Sequence, residues 1–447
     1  MTARLPWYAC LFAAVLAAPA AHAGIGQRFP SERKVVKDPV TGTMLTFLTS
    51  RPHGDAKIYP THPQWTADGE WVIFRSHMVQ GEAMAVNEKS GDIVQVTEGG
   101  YSGMLNAARH AMKLYFLRQA AGGGQQVVEV DLARLFADSA AGKLQGADAY
   151  QRISATLPAE LQANGNTALD ADDEWLYFGI GREAAAKHLP DGARIEPAFG
   201  PRHMGAGPAG IARVNVRTGE IRHVVSVPFQ VGHIQANLWN PGEIVFCWET
   251  GGKAPQRTWT VQADGSGLRP LYPEAPYEWV THEAVISKDE VALAILGHRQ
   301  IPGAPASVQE AKTGWEGANP GHDDGWGVTG TREKPSGLAI VNLRTRQTQI
   351  VGQTPSGSGF WHVHGSPDGR WAVGDDFSRS VYLIDRASHE MKMLTTGHKT
   401  TAADHPHPTF KPDGSAIEIE SAMLSEDGRT MNICIVPVPE DWLKRGK

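Results

Sequence analysis

The sequence predicts an all-β fold, a seven-bladed β-propeller whose ring is closed by an N-terminal strand. Three observations carry that prediction. A polar turn followed by a short apolar strand recurs seven times; an alternating segment with its own hairpin turn follows most copies; and the 447 residues include 49 glycines and 29 prolines, the composition of many short strands joined by turns. Two hairpins, or four strands, in roughly 40–50 residues make a unit of propeller-blade length. One such sheet cannot bury both faces alone, so the units must stack around an axis.

In chain order, the first 23 residues read as a targeting segment. Arg4 supplies the positive region, an apolar run extends from about Trp7 to Ala18, and Ala21-His22-Ala23 forms a small-x-small cleavage site. The apolar run is too short for a membrane span, and no other stretch reaches the ~18 uninterrupted apolar residues a span needs. The mature chain is therefore expected to start near Gly24, to carry no membrane span and to be periplasmic or secreted. Residues 24–447 are expected to form a single propeller domain.

The turn signature appears first as Thr66-Ala67-Asp68-Gly69 ahead of Trp71-Val72-Ile73-Phe74. A degenerate copy ends in Lys113-Leu114-Tyr115-Phe116, and Ala171-Asp172-Asp173 precedes Trp175-Leu176-Tyr177-Phe178. Asn240-Pro241-Gly242 and Ser287-Lys288-Asp289 mark the fourth and fifth copies. Ser366-Pro367-Asp368-Gly369 and Lys411-Pro412-Asp413-Gly414 mark the last two. The final unit is one strand short after Met431–Val436, and the N-terminal stretch from Lys34 to Leu48 is expected to supply the missing partner, which would remove the open edge. Two intervals carry inserts, at about 182–208 and 301–335; long loops of this kind commonly serve as lids or mobile segments.

A net charge of −6 with 20% charged residues excludes a basic nucleic-acid binder, and the glycine and proline content excludes a coiled coil. Cys247 and Cys434 lie far apart, each inside an apolar run, and are expected to be buried free thiols.

The placement of the 18 histidines is the most informative feature. His62, His362 and His407 each stand six residues before the turn aspartate, His282 stands seven before Asp289, and His233 eight before Pro241. His364 and His405 sit two residues from members of this set. Solvated or packing histidines have no reason to share a phase, so imidazoles from five blades are expected to converge at one mouth of the channel. A convergent imidazole cluster is a metal site, a proton-transfer site, or both. His405-Pro406-His407 is the leading metal pair, because residues i and i+2 of a strand share a face. A third imidazole from His282 or His362 would complete a facial triad with open positions for water or substrate. All-imidazole ligation fits Mn, Fe, Ni or Zn.

On Gly232-His233, Phe246-Cys247, Arg257-Thr258-Trp259, Thr281-His282-Glu283 and His405-Pro406-His407-Pro408, the chain resembles the oligogalacturonate lyases, seven-bladed propeller enzymes that cleave uronate oligosaccharides by β-elimination. The resemblance spans nearly the whole mature chain. It implies that His233 is the base and that His282, His405 and His407 hold a divalent metal, manganese first. Three positions depart from the family's pattern: Ala402 replaces a ligating glutamine, Gly210 an arginine, and Trp248-Glu249-Thr250 a His-Glu-Gly. These departures point to an altered metal shell and substrate clamp. Arg257 is expected to act at the catalytic centre by gripping a carboxylate bidentately, and His62, His362, His364 and Arg202 are expected to bind substrate.

The activity so implied is that of a carbon–oxygen lyase acting on short uronate-containing, oligogalacturonate-like oligosaccharides and leaving 4,5-unsaturated products. An acidic oligosaccharide is the expected partner. The competing reading is a non-catalytic periplasmic propeller of the translocation-protein type, which repeats similar Pro-Asp-Gly turns but has no need of histidines in register. The chain shows no Gly-x-Ser-x-Gly elbow of a serine hydrolase.

Overall fold

The computed structural model describes residues 24–198, 204–250, 254–274, 278–298, 336–354 and 359–445. The expected targeting segment, Arg202 and the expected insert at 301–335 lie outside them. Seven antiparallel sheets follow one another along the chain, each with its first strand innermost. The inner strands are Asp55–Lys57, Ser102–Ala107, Thr167–Leu169, Val231–Ala236, Glu278–Ser287, Phe360–Gly365 and Thr409–Phe410, for blades 1 to 7. From blade 2 round to blade 7 every adjacent pair of inner strands is in contact. They line the channel, as the all-β reading requires.

The seven turn signatures all sit between the first and second strands. In blades 1 and 6 the turn hydroxyl and aspartate lock together: Thr66 Oγ1 donates to Asp68 Oδ1 and Ser366 Oγ to Asp368 Oδ1, while the aspartates accept the backbone N–H of Glu70 and Arg370. The following strands, such as Trp71–Ser76 and Trp371–Asp376, are buried on both faces between neighbouring blades. Their near-continuous apolar character follows from that position.

The N-terminal stretch closes the ring as expected, and it does so as a hairpin. Blade 7 supplies Thr409–Phe410, Ala416–Ser421 and Asn432–Pro437, and a whole N-terminal hairpin, Met44–Phe47 and Lys34–Lys37, pairs onto it. Phe47 and Leu45 are fully buried there against Cys434 and Trp442. Arg28–Phe29 then covers the outer edge of blade 1 by pairing with Ile93–Gln95. Two N-terminal segments thus protect sheet edges, one on blade 7 and one on blade 1.

One element has no counterpart in the sequence reading. The helix Leu132–Ala141 interrupts blade 2 between its third and fourth strands, capped by Asp131 at one end and by Gly142, at φ 65°, at the other. Its Phe136 stacks on Trp71 with ring centres 4.2 Å apart, so the helix packs on the blade 1 and blade 2 core. The insert near 182–208 begins with the short helix Arg182–Ala186. Cys247 and Cys434 are buried free thiols. Among the described residues no helix is long and apolar enough to cross a membrane.

Candidate active site

Three of the inner strands break register at their histidine: between Gly232 and Gln235, between Thr281 and Glu283, and between Phe360 and Val363. A β-bulge of this kind re-aims a side chain out of the pleat. His233, His282 and His407 also adopt left-handed backbone, with φ of 45°, 34° and 51°. Such strain concentrates at functional sites because surrounding structure must hold it in place. Gly232 allows the bulge: a β-carbon there would come within 2.8 Å of Glu249 Cβ.

The three bulged strands and the segment leading into Thr409–Phe410, which carries His405 and His407, bring five imidazoles together. The His362 ring lies 4.2 Å from His282, 3.8 Å from His407 and 5.5 Å from His405, centre to centre. His233 lies 6.0 Å from His282. Tyr59 of blade 1 closes the cluster, 5.1 Å from His233 and 5.3 Å from His407. Trp361 and Phe377 flank His405 and face each other at 5.3 Å, giving the site an aromatic side.

Behind the imidazoles stand two carboxylates and a hydroxyl. Glu420 Oε1 lies 2.9 Å from His407 Nδ1, Asp375 Oδ2 lies 2.7 Å from His405 Nδ1, and Thr281 Oγ1 lies 2.9 Å from His282 Nδ1. Each contact fixes Nδ1 and leaves Nε2 as the free nitrogen, the arrangement that orients histidines for metal binding. Burial and the neighbouring imidazoles push His282 and His362 well below the ordinary histidine pKa, so both are neutral near pH 7. Burial also lowers His405. At His407 burial works the same way, but the carboxylates of Asp404 and Glu420 outweigh it and raise the pKa. Converging imidazoles, two of them backed by carboxylates, fit a divalent cation by the chemistry of the donor set.

His233 belongs to a separate unit. Its Nδ1 lies 2.8 Å from Glu283 Oε1, and Arg257 Nε donates to Glu283 Oε2 at 3.0 Å. Arg257 Nη2 stands 3.8 Å from Glu249 Oε2, and Glu249 Oε2 lies 3.5 Å from His233 Nε2. Burial opposes charge on Glu283, yet Arg257 and His233 outweigh it and hold its carboxyl below the ordinary value. Cys247 completes a possible His233, Cys247 and Glu283 ligand set. The guanidinium seated on Glu283 fills that place with positive charge, and burial keeps the thiol protonated, so this group suits proton transfer better than a cation.

The other expected residues take distinct places. His62 uses both ring nitrogens, 2.7 Å from Thr61 Oγ1 and 2.6 Å from the Thr167 carbonyl of blade 3. His364 Nδ1 accepts the Phe410 backbone N–H at 3.4 Å, and burial with the nearby Lys57 charge lowers its pKa to about 3. Arg202 lies outside the described residues. Ala402 packs against Ala422 and Met431 and offers no ligand atom. At Gly210 a β-carbon would meet the Val225 carbonyl at 2.6 Å, so the strand there has no room for an arginine.

Sequence reasoning missed Tyr59, the acidic residues Glu283, Asp375 and Glu420, and Arg379. Asp375 and Glu420 carry a legible signal, since each stands seven residues after its turn aspartate, in the buried second strand of its blade. Arg379 sits in the turn after Trp371–Asp376 with φ 65°, and its electrostatic neighbours are Asp375, Asp404 and Glu420. Among the described residues its Nη1 is buried without a hydrogen-bond partner.

No protein-family profile and no curated protein sequence matches the chain. Solved structures do. An oligogalacturonate lyase in complex with manganese superposes with a TM-score of 0.69 at 17% identity, covering 94% of this chain and 100% of that one. An oligogalacturonate lyase from Vibrio parahaemolyticus gives 0.68 at 17% identity with the same coverage. The WD40 repeats of RRP9 reach 0.50 at 10% identity, covering 91% of this chain and 100% of that one. The likeness establishes a seven-bladed propeller fold in common with the oligogalacturonate lyases.

Proposed function

We propose that the protein is a metal-dependent polysaccharide lyase that cleaves short uronate-containing oligosaccharides by β-elimination. The observation that carries this reading is the pairing of two units in one channel: imidazoles with their Nδ1 atoms held from behind, and beside them a histidine backed by Glu283 and Arg257. A channel that served only to dock a partner would need neither. The fold neighbour solved with manganese makes that ion the leading candidate, with zinc, iron and nickel as alternatives.

His282, His405 and His407 are the residues that would hold the ion. When bound, it supplies Lewis-acid neutralisation of the substrate carboxylate, which makes the adjacent C5 proton removable. His233 takes that proton at Nε2, its Nδ1–H held on Glu283. The C5–H electron pair becomes the new C4–C5 double bond as the C4–O bond breaks. Tyr59, kept protonated by burial and the nearby Glu283 charge, gives a proton to the departing oxygen. Arg257 is committed to Glu283 and Glu249 and positions the base. Arg379 is the cation with a buried nitrogen to offer a carboxylate, and Trp361 and Phe377 offer faces for the sugar rings. The expected targeting segment at residues 1–23 fits action in the periplasm or outside the cell.

The test is ultraviolet absorbance of the conjugated 4,5-unsaturated product over a panel of uronate oligomers. A rise that a chelator abolishes and manganese restores is the expected result; no rise on any oligomer sinks the reading.

A further inference from the structure

His362 is the hub of the cluster. Its ring is in contact with those of His282, His405 and His407, whereas no ring contact joins His282 to His405 or to His407 among the described residues. It is 3% exposed and sits in the bulge of the blade 6 inner strand, so the fold holds it there rather than at the rim. Asp375 faces two imidazoles at once: Oδ2 lies 2.7 Å from His405 Nδ1, and Oδ1 lies 3.3 Å from His362 Nδ1. That Oδ1 already accepts the His362 backbone N–H at 3.1 Å. The His362 Nδ1 is left buried and without a hydrogen bond among the described residues.

We propose that His362 is a fourth imidazole of the metal shell, joining His282, His405 and His407, with Asp375 orienting the His405 ring. The proposal rests on the metal-binding part of the reading above and replaces substrate contact as the role of His362. A buried imidazole with an unsatisfied nitrogen, in ring contact with three others, is costly to keep unless an ion uses that nitrogen. The side chain at 402, an alanine packed away on Ala422 and Met431, leaves a four-ligand shell no donor from that loop position. Asp404, whose Oδ1 lies 3.8 Å from His407 Nε2, is exposed and is the competing oxygen donor.

Two measurements on the full chain decide between them. In the cobalt-substituted protein, each bound imidazole keeps one exchangeable ring N–H, which appears in the proton spectrum strongly shifted by the paramagnetic ion. Four such signals are expected; three overturn the proposal. In titration calorimetry with manganese alone, His362→Ala should bind about 100-fold more weakly or worse, while His110→Ala on an outer turn binds as the unmodified chain does. Equal affinity for His362→Ala overturns the proposal and leaves the lyase reading standing. A chain that binds manganese through four imidazoles but turns over no uronate supports the proposal and sinks the lyase reading. A chain that binds no divalent ion sinks both.

Discussion

Glu283 couples the two charges that prepare the base. It receives the guanidinium of Arg257 on one oxygen and the Nδ1 side of His233 on the other, so the imidazole is fixed in the tautomer whose Nε2 accepts a proton. Glu283→Gln keeps the shape and removes the charge. Turnover should fall roughly 10²–10⁴-fold with manganese affinity unchanged; steady-state kinetics beside calorimetry checks this, and an active variant would remove Glu283 from the mechanism. His233→Ala should likewise lose turnover and keep the metal, whereas His407→Ala should lose both, read by activity and metal content of the purified variants. At this scale the sequence exposes the histidines because they recur in phase, but it hides their supporters. Glu283 follows His282 directly and looks like a surface residue, although it is 2% exposed. Tyr59 belongs to no repeating pattern, so only the fold brings it to the cluster.

The elements do two jobs, placing the site and sealing the ring. Bulged inner strands turn His233, His282 and His362 into the channel, a departure from strict alternation that a period-two reading cannot foresee. The repeated turns were legible because Asp-Gly chemistry marks them. The helix Leu132–Ala141 was not, since a single amphipathic helix between hairpins interrupts the repeat without altering its turns. The seam between blades 7 and 1 holds a buried ion pair, Lys57 with Glu418, whose Nζ and Oε2 are 4.0 Å apart. Lys57 Nζ also donates to Thr409 Oγ1 and the Ile58 carbonyl. Burial pushes the Lys57 pKa down to about 8 and the Glu418 pKa up to about 7, so each charge depends on the other. Lys57→Met strands Glu418 and should cost about 3–5 kcal/mol in chemical denaturation. The double change with Glu418→Gln should recover much of that; a double variant no more stable than the single one would show that the pair is not what the seam depends on.

Over the whole molecule, seven similar sheets supply a rigid ring and five of them supply residues to one channel cluster. Ring stability should depend on pH through histidines that the fold keeps neutral. His62 and His398 are buried, each with both ring nitrogens hydrogen-bonded, and burial lowers both to a pKa of about 4 from an ordinary 6.5. The unfolded chain therefore takes up protons first as the pH falls. Stability is complete above about pH 6.5 and is lost progressively toward about pH 4. Thermal unfolding in chelator should show the midpoint dropping before exposed carboxylates titrate near pH 4; a midpoint flat down to about pH 5 would contradict it. The net charge of −6 counts the buried carboxylates and guanidiniums of the channel but treats its imidazoles as neutral, so it says little about the site.

The central claim is that the in-register histidines form a metal centre. Anomalous diffraction at the manganese edge, on crystals of the full chain grown with manganese, tests it most directly. A single strong peak among His282, His362, His405 and His407 is the predicted result. No peak there, or peaks only at acidic turns on the outer surface, would contradict it.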